Sequence, residues 1–195
     1  MSFIAFLGCD GSGKSAVIQG LKSHLEAEGH EVVLGHWRPQ PFSKSNGHSA
    51  AADEPHGQAP RGYAASVLKL AWLWANWWLG WSLGLWQTSR HGYVLHDRYH
   101  GDLLVDPRRY RYGGPMWLAK LASRLMPQPD QIIYLDAPPD VLLARKQEVP
   151  AESLERSRAA YLHLAQTAPR FRIVDASRTL VQVIADVISE LPDAH

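Results

Sequence analysis

Short apolar runs alternate with longer stretches of helical spacing along this 195-residue chain. Phe3 to Leu7, Glu31 to His36, Tyr93 to His96, Gln131 to Leu135 and Phe171 to Val174 read as strands, with helices between them. That alternation predicts an α/β fold, a five-stranded parallel sheet with helices on both faces. The clearest helix is Ala16 to Glu28, where Val17, Ile18, Leu21 and Leu25 recur at helical spacing. Between the second strand and the next helix, Pro39 to Gly62 is rich in Pro, Gly, Ser, Ala and His and almost free of large apolar residues. It predicts a mobile loop, either a binding loop or a plain connector.

The segment Leu70 to Trp86 has no charged residue and six tryptophans, namely Trp72, Trp74, Trp77, Trp78, Trp81 and Trp86. As a helix it would run about 25 Å, short of a bilayer core, and a single crossing would leave the first and the later strands on opposite sides of a membrane. A transmembrane span therefore fails on topology. A helix apolar on all sides is normally buried, and Gly80 and Gly84, four apart, would let another helix approach closely. The expectation is a core helix that also forms the seam of a homodimer. A surface touching lipid or a lipid-linked molecule is the alternative.

Composition allows a single domain over 1–195, with 46% hydrophobic residues. The formal net charge of +1 argues against bulk electrostatic binding to nucleic acid or to an anionic membrane, so no nucleic-acid partner is expected. One cysteine, Cys9, rules out an internal disulfide framework, and no secretory signal is visible. The chain reads as cytoplasmic, with peripheral membrane contact as the variant that the tryptophans allow. Ten histidines show no metal-binding spacing.

Residues Gly8 to Ser15 read G-C-D-G-S-G-K-S directly after the first strand and before the first helix. Strand, loop and helix in that order are the context a phosphate-cradling P-loop requires. Gly8, Asp10, Gly11, Ser12 and Gly13 would form the cradle, Lys14 would reach the β- and γ-phosphates of a triphosphate, and the Ser15 hydroxyl would ligate Mg2+. The strand Tyr93 to His96 ends in Asp97-Arg98-Tyr99. A carboxylate at the carboxyl end of a neighbouring parallel strand is placed to support the metal, so Asp97 is the metal-side candidate. Arg98 beside it would clamp an anionic acceptor or the transferring group.

Four pieces together resemble thymidylate kinase, in the same order and over nearly the whole chain: the loop from Gly8, D-R-Y from Asp97, Y-L-D-A-P-P-D-V-L-L-A-R from Tyr134 to Arg145, and V-D-A-S-R from Val174 to Arg178. The resemblance implies the nucleoside-monophosphate-kinase variant of the P-loop NTPase fold, an ATP and Mg2+ donor, and an Arg-containing lid over 146–158. It also implies that Asp10 touches the acceptor's hydroxyls, Arg98 its phosphate, and Arg145 the adenine or the phosphates. The backbone at Ala176 and Ser177 would lie beside adenine.

The acceptor half departs from that family. His36-Trp37-Arg38-Pro39 keeps only an Arg-x-Pro echo of the family's acceptor loop, and His100-Gly101-Asp102 replaces the segment that reads thymine. The run Asp106-Pro107-Arg108-Arg109-Tyr110-Arg111-Tyr112-Gly113-Gly114 resembles instead thymidylate-kinase-like proteins of surface-polysaccharide gene clusters. Arginines interleaved with tyrosines offer forked donors and flat faces, which suit an anionic sugar. The leading expectation is an ATP- and Mg2+-dependent kinase with a small anionic or glycan acceptor. Its acceptor-binding residues would be Asp10, Arg38, Arg98, Tyr99, Asp102, Arg108, Arg109 and Arg111. A hydroxyl acceptor would need a base, for which Asp97 and then Asp102 are candidates. Genuine thymidylate kinase is the alternative enzyme; a regulatory P-loop NTPase or an idle binding module are readings of other classes.

Overall fold

A computed structural model of the chain describes residues 2–36, 61–82, 92–107, 110–146 and 149–191. The chain groups into two compact units. The first holds all five strands: β1 (Ser2–Leu7), β2 (Val32–His36), β3 (Tyr93–Asp97), β4 (Gln131–Asp136) and β5 (Phe171–Asp175). They form one parallel sheet in the order β2-β3-β1-β4-β5. Every position of β1 is buried, so both faces of the central strand are covered, whereas the edge strands β2 and β5 are half-exposed. This is why β1 reads as an unbroken apolar run.

Helix α1 (Lys14–Ala27) buries Val17, Ile18, Leu21 and Leu25, as their spacing predicts. It packs on α7 (Leu180–Ser189), where the Ile184 side chain fills the space that a Cβ on Gly20 would need. Helices α5 (Pro139–Arg145) and α6 (Ala151–Thr167) follow β4 and pack on each other. The second unit is helical: α2 (Tyr63–Gly80), α3 (Gly101–Val105) and α4 (Met116–Arg124). No helix among the described residues is long and apolar enough to cross a membrane.

The tryptophan-rich segment departs from expectation. Its helix begins at Tyr63, not Leu70, and only one stripe, Ser66, Leu70, Leu73, Trp77 and Gly80, is buried. Trp72, Trp74, Trp78 and Leu79 are exposed, so α2 is not the fully enclosed core helix that an all-apolar surface implies. Gly84 and Trp86, like most of the 39–62 loop, lie outside the described residues.

Among the described residues two histidines are fully buried, His96 on β3 and His100 just before α3. Burial lowers them to about 3 and about 4 respectively. Below pH 6.5 the unfolded chain therefore takes up protons that the folded chain refuses, and stability falls as pH falls. Each histidine contributes at most about 1.4 kcal/mol per pH unit to that slope. Urea unfolding should show stability dropping between pH 6.5 and 5, above the range where paired carboxylates titrate; a flat profile there would contradict neutral burial.

Candidate active site

β1 ends at Leu7 and the chain turns through Gly8–Gly13 into α1. Gly11 sits at φ 87°, and a Cβ there would lie 2.8 Å from the Leu142 carbonyl oxygen of α5. Gly13, the N-cap of α1, sits at φ 84° with nothing near a would-be Cβ, so its conformation alone requires glycine. α1 has no acidic residue in its first turn, which leaves its positive dipole end and first N–H groups to an anion. Lys14 is buried, and its Nζ donates to Gly8 O at 2.8 Å, Cys9 O at 3.0 Å and Ser12 Oγ at 3.3 Å. The ammonium is carried on the inner side of the loop, while Ser15 is exposed one position on. Burial pushes the Cys9 thiol up to about 11, so it stays protonated and is no nucleophile at neutral pH.

Strand register brings the rest alongside. Phe6 pairs with Asp97 and Leu7 with Tyr134, so the carboxyl ends of β3 and β4 flank the start of the loop. Open α/β sheets bind ligands at this edge. Asp97 Oδ1 is buried and meets no hydrogen-bond donor. An enclosed carboxylate oxygen of this kind is costly unless a cation or water complements it. A Mg2+ ion would answer this Asp97 oxygen, and when bound would offset charge on the β- and γ-phosphates.

Arg98 adopts φ 70°, in the left-handed region that costs a non-glycine residue about 1–2 kcal/mol. Its N–H donates to Phe6 O at 2.9 Å, and its Nη2 donates to Asp10 Oδ1 at 2.7 Å. Only 12% of the arginine and 13% of the aspartate side chain is exposed. Strain retained at such a point is typical of functional positions, and here it turns a guanidinium back onto the P-loop. The resemblance gave both residues to the acceptor; the structure shows that they hold each other.

On the other side of β1, Arg145 of α5 donates to Ala176 O at 2.8 Å, which joins two positions that the resemblance placed near adenine. Ser177 donates from both its N–H and its hydroxyl to Asp175 Oδ1, and the hydroxyl bond chiefly holds that carboxyl below its usual range. Sequence reasoning gave Asp136 no role and placed Arg158 only at the end of the expected lid. The Arg158 guanidinium of α6 grips Asp136 at the end of β4 through two bonds of 2.8 Å. Beneath them Tyr134 stacks on Tyr161 at 4.8 Å. A carboxylate closing the strand next to β1 was the available signal for Asp136; nothing in spacing pointed to Arg158. Of the expected lid, 147–148 lie outside the described residues and 151–158 form the first turns of α6.

In the helical unit Asp102 is buried and accepts a bond from the Tyr110 hydroxyl at 3.4 Å. Tyr112 donates to Pro115 O at 3.0 Å, and the Gly113 N–H donates to Ser66 Oγ at 2.9 Å. Arg111, at φ 52°, accepts through its carbonyl from the Arg61 N–H. The tyrosine hydroxyls of this stretch are thus engaged within the chain. Tyr99, which closes D-R-Y, is buried edge-on against Phe3. Arg38, Arg108 and Arg109 lie outside the described residues.

No family model matches the chain. It is similar to a protein of Saccharolobus solfataricus named "Probable thymidylate kinase 1", 28% identical over an alignment 207 positions long that covers 95% of this chain and 94% of that one. The sheet and this similarity agree with a P-loop NTPase fold like that of thymidylate kinase. That similarity supports an ATP-using phosphotransferase of the thymidylate-kinase-like kind, and kinases of that kind use ATP and Mg2+. Association with polysaccharide clusters finds no support.

Proposed function

We propose that the protein phosphorylates a nucleoside monophosphate, moving the γ-phosphoryl group of ATP onto the acceptor's own phosphate. The observation that carries this reading is Arg98, fixed by Asp10 at 2.7 Å beside the phosphate loop. A rigid guanidinium fork there is suited to a phosphate dianion, and binding such a group in line with the donor is most of what phosphoryl transfer asks of a protein. The similar protein's name points the same way. The glycan acceptor expected from 106–114 gains nothing from the comparison, and the tyrosines meant to face a sugar have internal partners. Base preference is open to difference from thymine, because His100-Gly101-Asp102 stands where the family reads that ring.

Labelled ATP supplied with each common nucleoside monophosphate, TMP included, and with acidic sugars should yield a labelled nucleoside diphosphate. Transfer to sugars alone would overturn the reading. Arg98→Lys should raise the acceptor's KM about tenfold with little change in that of ATP, since an ammonium lacks the bidentate fork. An effect chiefly on ATP would move Arg98 to the donor side.

A further inference from the structure

The helical unit presents an apolar face that the phosphotransfer reading does not use. On α2 Trp74 and Trp78 are exposed along one flank of the buried stripe, and on α4 and its cap Trp117, Leu121 and Leu125 project at spacings of four. The two sides join where the Trp78 indole N–H donates to Leu125 O at 3.0 Å, with Trp74 edge-on to Trp78 at 6.3 Å. Trp117 is 65% exposed and Leu125 52%, so these are not rims of a closed core. Contiguous apolar surface of this kind marks an interaction site.

Charge selects the occupant. The only charged residues in α2 and α4 are Lys69, Lys120 and Arg124; neither helix contains an aspartate or glutamate. Lys120 and Arg124 are exposed and lie beside Trp117, Leu121 and Leu125 on the same face of α4. A second copy docking through a two-fold interface would set the same patch against itself, bringing basic groups together with no acidic partner on either helix. An anionic bilayer surface answers both features. Indoles favour the headgroup level, aliphatic chains enter the acyl boundary, and flanking lysine and arginine meet acidic headgroups. The chain's net charge of +1 hides this because the excess is local. We propose that the exposed face of α2 and α4 is a peripheral docking surface for membranes rich in anionic lipid.

The test is flotation of the full chain with vesicles of phosphatidylcholine alone and of phosphatidylcholine mixed with phosphatidylglycerol, at low and high salt. The protein should float with the mixed vesicles, less so at high salt, and hardly with phosphatidylcholine alone. Trp117→Glu with Leu121→Glu should weaken binding about tenfold or more. Lys120→Glu with Arg124→Glu should do so only on anionic vesicles; all four sites are exposed, and melting curves check the fold. Val181→Glu, at a 78% exposed site on α7, should change nothing. Failure of the wild type to float, or equal flotation by the Trp117→Glu, Leu121→Glu protein, would overturn the proposal. So would a dimer that those substitutions split while no form binds vesicles, which would give the face to a second copy.

Discussion

Lys14→Ala should cost about a thousandfold in kcat while the protein keeps its fold. The Nζ is gathered inside the loop by Gly8 O, Cys9 O and Ser12 Oγ, so its charge is aimed before any phosphate arrives. A group preorganised in this way opposes charge that shifts on the phosphates in the transition state and pays little reorganisation as it does so. Removal of one such electrostatic contact is worth about 4 kcal/mol, which is where the thousandfold comes from. ATP binding should suffer less than turnover, because the loop amides and the α1 dipole remain. Truncation also strips three acceptors of a donor, at about 1 kcal/mol for a bond of this kind. Lys14→Met, which keeps a buried stem, separates that packing loss from the loss of charge. Circular dichroism should stay native for both variants, with a melting temperature lowered by several degrees, about ten at most. A folded Lys14→Met protein with near-normal turnover would remove Lys14 from the transfer step.

The strands were legible because a central parallel strand must be apolar on both faces, and β1, fully buried, shows this plainly. The P-loop was legible because its glycines answer to local conformation and its lysine follows at fixed spacing. Helix α2 was misjudged because its exposed side is as apolar as its buried one. Periodicity then has no contrast to work with, and the uncharged run from Leu70 does not mark the helix start at Tyr63. The two ion pairs were beyond reach for a different reason. Asp10 and Arg98 are 88 residues apart and meet because β3 lies beside β1, whereas Asp136 and Arg158 are 22 apart and meet because α6 returns to the end of β4. The acceptor stretch is less legible, because alternating Arg and Tyr look like an open binding surface while Tyr110 and Tyr112 bond back to their own chain.

Asp97→Asn should lower kcat about a hundredfold at ordinary Mg2+ and should raise the Mg2+ concentration needed for half-maximal rate. Oδ1 of this carboxylate is enclosed without a donor, so its charge is available to a cation rather than spent on a hydrogen bond. An amide of the same shape keeps the packing and loses the charge, which limits the effect to electrostatics. The way activity returns as Mg2+ is raised then separates the two acceptor classes. A nucleoside monophosphate attacks through a phosphate oxygen that carries no proton at neutral pH, so no base is needed and excess Mg2+ should restore most of the rate. A hydroxyl acceptor must shed a proton as it attacks, and Asp97 would then double as its base. In that case a large part of the loss would persist at saturating Mg2+. Near-complete recovery is the expected result; a persistent deficit, with ATP binding intact, would refute the proposed phosphate acceptor and restore the hydroxyl reading that the residues of 106–114 first suggested.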